Sequence, residues 1–378
     1  MPVLHLNLDA LKSNISRLPH LEKAWGFSLL PVLKMVAGHP VVARVLHDAG
    51  YQRYGVAEVD EALLWGSSPP QASLPPGARP VLISLPPPQR ADDVLVRFSR
   101  SPVSSLEHLL ALEAASQRLG TASPAHEYIV MLDAGEWREG IPLQDAPAFF
   151  QGIKHRFPHL KLAGVGLTMG CLHGVCPDTK AMRALADAVS SAEQTSGLRV
   201  SCISLGGSIF WDWLARNHDA SFLPAHCQIE LRAADPFLLG YDSYHDKPAA
   251  GGDFNRDLFR LDATVVEVLD KDIQPACHCV YNGKGKRSVP RQIGCRRRAL
   301  LDCGSLHTSL EHCHLLLPGA ILMDYCGTYC VLDITDCPRN LRPGDTVSFA
   351  PGYWAVAQSF RTPLVAKHFR SSENICHA

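Results

Sequence analysis

The chain has no apolar run of the roughly 18–20 residues that a helix needs to cross a bilayer, so no membrane-spanning helix is expected. It has almost no net charge: 36 Lys and Arg stand against 37 Asp and Glu, a balance of -1. That excludes the basic footprint of a nucleic-acid or anionic-membrane binder, and the cluster "CRRRAL" is too short to act as a tail. No Gly-x-Gly-x-x-Gly stands at a strand-to-helix turn, which removes the main support for a dinucleotide site. No Cys-x-x-Cys occurs anywhere, and there is no low-complexity tail. What these absences leave is a globular protein that handles small molecules.

The N-terminus "MPVLHLNLDALKSN" alternates Leu4, Leu6 and Leu8 with His5 and Asn7, a strand pattern without the apolar stretch of a signal peptide. The 13 cysteines are odd in number and lie within apolar runs such as "ILMDYCGTYCVLDI", which reads as reduced thiols. The expected compartment is the cytoplasm. At 378 residues and 46% hydrophobic, the chain can bury a large core and is expected to form two domains.

Up to about residue 240 short apolar runs alternate with helical periods. Asp9 reads as the cap of a first helix with Leu11, Ile15 and Leu18 on one face. Eight apolar runs follow, ending near Lys34, Val56, Leu85, Ser105, Asp133, Thr168, Gly206 and Arg232. Eight strands alternating with helices predict a (β/α)8 barrel over residues 1–245, with a doubly wound open sheet as the alternative. Beyond it, "LDATVVEVLD", "RRALLDCG" and "DTVSFAPG" are strand-like runs between Gly, Pro and Asp, predicting a β-rich domain over 246–378.

In such a barrel the chemistry lies where the strands end. There "LLPVLKMVAGHP" places Lys34 as its one charged residue, "DAGEWREG" supplies Asp133 and Arg138, and Thr168, "LGGS" and Arg232 follow. Small residues in "LGGS" and "RAAD", with the Ser208 hydroxyl, suit a phosphate, and a lysine across the mouth from a phosphate suits pyridoxal phosphate. Each residue also has a plainer reading: Lys34 as a strand-end lysine reaching for water, "GGS" as a turn, Arg232 as half of a surface ion pair. Cys277 with Cys279 and His312 with His314, near His278 and Cys313, share strand faces at i and i+2. They are set as a zinc candidate against ordinary loop residues, and no metal is expected.

The segments "PVLKMVAGHP", "YGVAEVDEA", "DAGEWREGI", "GVGLTMGCLHGVCPD", "SLGGS", "LRAADPFLLG", "RRRALLDCG" and "PGYWAVAQSFRTPLV" resemble the pyridoxal-phosphate amino-acid racemases of the alanine racemase family, in particular its ornithine and lysine racemase branch. The resemblance implies a barrel followed by a β domain, in a head-to-tail homodimer whose β domain completes the partner's site. By position it makes Lys34 the lysine that carries pyridoxal 5'-phosphate and one of two proton-transfer bases. Thr168, Gly206, Gly207 and Ser208, with the backbone of Ala234 and Asp235, fall at cofactor positions; Arg232 faces the ring nitrogen, and Arg138 the substrate carboxylate. Ser305 stands where alanine racemases carry the tyrosine of the opposite-face base, with Cys303 and His307 as alternatives, and Thr328 alters the substrate pocket. Ala37 and Phe360 replace tyrosines near the phosphate.

The implied activity is racemisation of a basic or polar amino acid such as ornithine or lysine. The rivals are an aldolase or decarboxylase on the same cofactor and a non-catalytic pyridoxal-phosphate carrier. No nucleic-acid or membrane partner is expected.

Overall fold

The computed structural model describes residues 1–61, 77–120, 126–217, 223–245, 247–274, 281, 293–372 and 375–377. The chain forms two compact units, one of Lys12–Asn255 and one of Met1–Leu11 with Arg256–Ala378. The first strand, β1 (Val3–Asn7), and helices α1 (Leu8–Ile15), α2 (Leu18–Trp25) and α3 (Pro40–Asp48) open the chain. The cap of α1 is Asn7 rather than Asp9: its side-chain oxygen accepts the N–H groups of Asp9 and Ala10, both at 3.1 Å. A strand ending on Asn can turn into a helix with no intervening residue.

In the larger unit the sheet runs β2 (Ser28–Pro31), β3 (Arg53–Val56), β4 (Arg79–Leu82), β5 (Arg100–Val103), β6 (His126–Asp133), β7 (Ile141–Pro142), β8 (Leu160–Thr168), β9 (Cys202–Gly206) and β10 (Gln228–Ala233). Hydrogen bonding orders them β2-β10-β9-β8-β6-β5-β4-β3, with the short β7 beside β6, and every pairing is parallel. A bridge between Val32 and Gly55 closes the ring, with the Leu33 N–H on the Gly55 carbonyl at 2.7 Å. A Cβ at Gly55 would lie 2.9 Å from Ile83 Cγ2, so the seam is tight enough to require glycine. The eight predicted strands are thus the eight of a (β/α)8 barrel.

Helices α4 (Ala91–Arg97), α5 (Leu106–Leu119), α6 (Ala146–Ile153), α7 (Thr179–Ser196), α8 (Ile209–Arg216) and α9 (Asp235–Leu238) follow their strands. Ser105 caps α5 through the His108 N–H, and Asp178 caps α7 through the Ala181 N–H at 2.7 Å. Gly197, at φ 71°, ends α7 in the left-handed conformation that costs glycine least. Both faces of the barrel strands are covered, so they read as unbroken apolar runs; Val130, Met131 and Leu132 are all at most 1% exposed. The hairpin β11 (Tyr241–Asp242) and β12 (Lys247–Pro248) follows α9.

The second unit is built on β13 (Phe259–Ile273), with β14 (Gly294–Leu301), β15 (Cys313–Leu315), β16 (Ile321–Tyr325), β17 (Cys330–Asp333), β18 (Thr346–Pro351), α10 (Tyr353–Arg361), β19 (Ala366–Arg370) and β20 (Ile375–His377). β13 pairs antiparallel with β1, β14 and β18. Residues 1–11 therefore lie outside the barrel to which the sequence assigned them. β1 pairs with β13 on one side and β19 on the other, burying Leu4 and Leu6, while the barrel closes through β2 and β3 without it.

Candidate active site

Side chains alternate across a strand, so the register of three neighbouring barrel strands decides what meets inside. Thr168 on β8 is level with Gly206 on β9, and Gly206 with Arg232 on β10. Arg232 lies across the glycine. Its guanidinium donates to the Leu167 carbonyl and to Thr168 Oγ1, each at 3.1 Å, and to Ser204 Oγ at 3.3 Å. It is 7% exposed, and burial lowers its pKa to about 10, so it remains a cation at neutral pH. One layer deeper, Glu230 receives Arg100 Nη2 on both carboxylate oxygens at 2.6 Å and the Ser204 hydroxyl at 2.7 Å. Arg232 is therefore no surface ion pair; it ends a polar column in the barrel interior.

β2 ends at Pro31, beside Ala233, and the chain then turns through a short 3-10 helix of Lys34–Val36. The Val32 N–H on the Ala233 carbonyl, 2.9 Å, holds that turn against the end of β10. Lys34 is half-buried, and its charge reaches the Asp235 carboxyl. Asp235 is itself buried; burial raises its pKa, against the hydroxyls of Ser243 and Ser208 and the Lys34 charge.

Between these groups is a small cradle. Ser208 Oγ accepts the N–H groups of Ala234 at 3.3 Å and Asp235 at 3.4 Å, and Ser208 precedes α8, where the Phe210 and Trp211 N–H groups bond the Gly207 and Ser208 carbonyls at 3.1 and 3.0 Å. Gly207 sits at φ 110°, and a Cβ there would lie 2.5 Å from the Met169 carbonyl, so this turn admits only glycine.

The loop after β6 supplies the remaining polar groups. Asp133 accepts the N–H groups of Gly135 and Glu136 at 2.9 Å. Glu136, 2% exposed, accepts those of Gly170 at 3.0 Å, His173 at 3.0 Å and Leu172, and so fixes the loop after β8. Arg138 pairs with Glu139 through Nε and Nη2, and its Nη1 meets Cys171 Sγ at 2.7 Å. Thr168 Oγ1 donates to Glu139 at 3.2 Å. An open cavity of about 620 Å³ flanks this loop, lined by Asp133, Trp137, Gln144, Cys176 and Lys180 among others.

Lys34, Arg138, Thr168, Gly206, Gly207, Ser208, Arg232, Ala234 and Asp235 thus all fall at the strand-end side of one barrel. Ser305, Cys303, His307 and Thr328 belong to the other unit, where they share one loop pair. The Ser305 hydroxyl donates to the Cys326 carbonyl at 3.3 Å, and Gln358 holds the Ser305 carbonyl at 2.6 Å. Cys303 is fully buried, and burial pushes its thiol pKa strongly up. His307 Nδ1 accepts the Gly304 N–H at 3.0 Å, and burial lowers its pKa. Cys326 is the exception: burial raises its thiol pKa, but the N–H groups of Tyr329 and Thr328 outweigh that and bring it below the ordinary range.

Cys277, His278 and Cys279 lie outside the described residues; His312 ends a 3-10 turn and His314 sits in β15. Asp212, Asp242 and His245 approach one another, but Lys247 at 2.6 Å and Arg216 at 2.7 Å already neutralise Asp212.

Sequence reasoning missed Glu139, Glu136 and the Arg100–Glu230 pair. Glu139 is adjacent to a singled-out arginine, and Glu230 lies two residues before Arg232, hence on the same face of the strand. Arg100 carried no such signal, because its partner lies across the barrel.

A closed (β/α)8 barrel with a lysine, a buried arginine and an oxyanion cradle at its strand ends, joined to a β-rich unit, defines the class. The sequence model of the family described as "Alanine racemase, N-terminal domain" matches residues 6–218, and the chain belongs to that family. It is 24% identical to an ornithine racemase of Acetoanaerobium sticklandii over 289 residues, 76% of this chain and 78% of that one. It is 21% identical to a lysine racemase of Thermotoga maritima over 371 residues, 98% and 99% of the two chains. Among solved structures, an alanine racemase from Streptomyces coelicolor A3(2) superposes with a TM-score of 0.72 at 19% identity, covering 98% of each chain. A D-threonine aldolase from Filomicrobium marinum does so at 0.66 and 15% identity, covering 95% and 89%.

The family implies pyridoxal 5'-phosphate, and the residues present fit it. The Ser208 hydroxyl and the Ala234 and Asp235 N–H groups, which meet one another at 3.3 and 3.4 Å, would turn to a phosphate, in a turn whose glycine leaves the backbone uncovered. Asp235 beside them is buried, and burial raises the pKa of its carboxyl.

Proposed function

We propose that the protein is a pyridoxal-phosphate-dependent amino-acid racemase acting on a basic or polar amino acid such as ornithine or lysine. The carrying observation is that Lys34, Arg232 and the Ser208 cradle lie at the same end of one barrel. When bound, the cofactor supplies an electron sink for a carbanion at the substrate Cα.

Lys34 would hold the cofactor by its amine and, with that amine free, would take or return the substrate Cα proton on one face. Arg232, a buried cation at neutral pH, would present N–H donors to the cofactor's ring nitrogen and disfavour a proton there, which would favour return of the Cα proton over side reactions. Arg138 binds the α-carboxylate, and Thr168 ties the two arginines together through its hydroxyl, 3.1 Å from Arg232 and 3.5 Å from Arg138.

The second base comes from the β-rich unit of a homodimer partner, at Ser305 of the partner subunit or at the thiol of Cys326 of the partner subunit. A cytoplasmic setting accompanies this reading, supported by ten described cysteines that are free thiols.

The test is exchange at Cα in deuterated water. The cofactor-loaded protein is incubated with L-ornithine, L-lysine, L-arginine and neutral amino acids, then followed by NMR and chiral chromatography. Deuterium at Cα with formation of the D-enantiomer is the expected result. Exchange with retained chirality removes the second base. Aldehyde release from a β-hydroxy amino acid, without racemisation, would favour the aldolase reading that the D-threonine aldolase likeness keeps open, and no exchange would favour the carrier.

A further inference from the structure

Among the acidic groups around the β6 and β10 ends, most are committed to the fold. Asp133 and Glu136 are taken up by backbone N–H groups, and Asp235 by Ser243 and Ser208. Glu139 differs, since its partners are the Arg138 guanidinium and the Thr168 hydroxyl, both side-chain groups that can turn away. The Arg138 side chain is 31% exposed and that of Glu139 12%, so the pair stands at the mouth, reachable from solvent, with its carboxylate largely out of water.

We propose that Glu139 reads the distal ammonium of a diamino acid, releasing Arg138 to the substrate's α-carboxylate as it does so. The inference rests on the racemase reading, which assigns the α-amino group to the Lys34 position and leaves only a second ammonium for Glu139.

The argument is one of charge exchange. Arg138 cannot bind an incoming carboxylate in full while Glu139 occupies its Nε and Nη2 donors. A monoamino acid that displaces Glu139 leaves a mostly buried carboxylate without its cation, a penalty of the kind that makes polar pockets selective. A diamino acid brings one group for each partner, so the one ion pair is replaced by two and neither charge is left alone. An acidic amino acid adds a second negative charge beside Glu139 and is rejected. The adjacent Arg138–Glu139 pair is thus complementary in sign to the two ends of such a substrate.

The experiment compares ornithine with norvaline, which matches its carbon chain but lacks the distal ammonium, on the loaded wild type and on Glu139→Gln. The expected result is a wild-type preference for ornithine, lost by about 10–100-fold in kcat/KM in the variant and carried by KM, with norvaline unchanged or improved. An equal loss for both substrates would mean a structural role only and would overturn the inference. A second measurement needs no turnover: calorimetric binding of 5-aminopentanoate against pentanoate to the loaded wild type. Tighter binding of the aminated probe, abolished in the variant, supports Glu139 as the reader, whereas equal binding in the wild type sinks it. Racemisation of norvaline as fast as ornithine removes this inference and leaves the racemase reading standing. Racemisation of no amino acid removes the racemase reading, and the inference with it.

Discussion

A Cβ built on Gly206 would lie 2.1 Å from Nη2 of Arg232. The glycine is therefore the opening through which the guanidinium crosses β9 to reach Thr168 and Leu167 on β8. Gly206 has no positive φ, so alanine suits its backbone and only the arginine objects.

Gly206→Ala should expel Arg232 from its place over β9 and lose its charge-assisted hydrogen bonds, at a cost of about 2–3 kcal/mol in denaturant unfolding. In an Arg232→Met background the same change should cost well under half as much. An additive double mutant would show that the glycine serves something other than the arginine.

Arg100→Met removes the partner of a carboxylate that is 8% exposed, leaving Glu230 with the Ser204 hydroxyl and the more distant Arg232 charge. Breaking a buried pair from one side costs about 3–5 kcal/mol, so the melting temperature should fall sharply. Adding Glu230→Gln should recover most of the loss, because the neutral amide still accepts from Ser204. A double variant as unstable as the single one would show that Arg100 acts through packing alone.

The strands were legible because a sheet covered on both faces writes itself as apolar runs such as "YIVML". Lys34 and "LGGS" were legible because each breaks such a run where a barrel strand stops. Pairings between distant strands left no mark: Arg100 meets Glu230 across 130 residues, and β1 joins β19 across more than 360. The role of Gly206 was also hidden, since a glycine beside another glycine reads as a turn until the register shows which side chain fills its space. Asp9 competed with Asn7 for a cap, and the residue at the strand end won because its side chain reaches the first free N–H groups.

His126 is 2% exposed, between the Ser101 hydroxyl at 2.9 Å and the Phe98 carbonyl at 3.1 Å. Burial lowers its pKa from 6.5 to about 4, against a smaller opposing pull from the Phe98 carbonyl. Between those values the unfolded chain binds the proton and the folded chain does not. His126 therefore adds its full stability above about pH 6.5 and loses it as the pH falls towards 4, by about 3 kcal/mol at most. Unfolding free energies measured from pH 7 to 4 should show that decline, and His126→Gln should flatten it. An unchanged slope in the variant would assign the acid sensitivity to other groups.

Ser305 and Cys326 separate by their surroundings. The Ser305 hydroxyl gives its proton to a carbonyl, which does nothing to stabilise an alkoxide, whereas the Cys326 thiol receives N–H groups. Ser305→Ala should lower turnover by less than tenfold. Cys326→Ala should slow the appearance of the D-enantiomer by about a hundredfold or more, with Cα exchange from the Lys34 face retained. Equal rates for Cys326→Ala and the wild type would remove the thiol from the mechanism.

Lys34 lies in a 3-10 turn held by backbone contacts, including the Leu33 N–H on Gly55 and the Gly38 N–H on the Leu33 carbonyl at 3.0 Å. Lys34→Ala leaves those contacts in place, so the protein should keep its unfolding free energy to within about 1 kcal/mol. What it should lose is covalent capture: after borohydride reduction of the loaded protein, the wild type carries the cofactor's mass on the peptide containing Lys34, and the variant carries none. A reduced adduct on another lysine at wild-type stoichiometry would refute the assignment of Lys34, and with it the mechanism built on the Ser208 cradle and Arg232. A variant that retains the cofactor without the covalent bond instead isolates what Ser208, Ala234, Asp235 and Arg232 contribute by themselves, because those groups are untouched by the substitution.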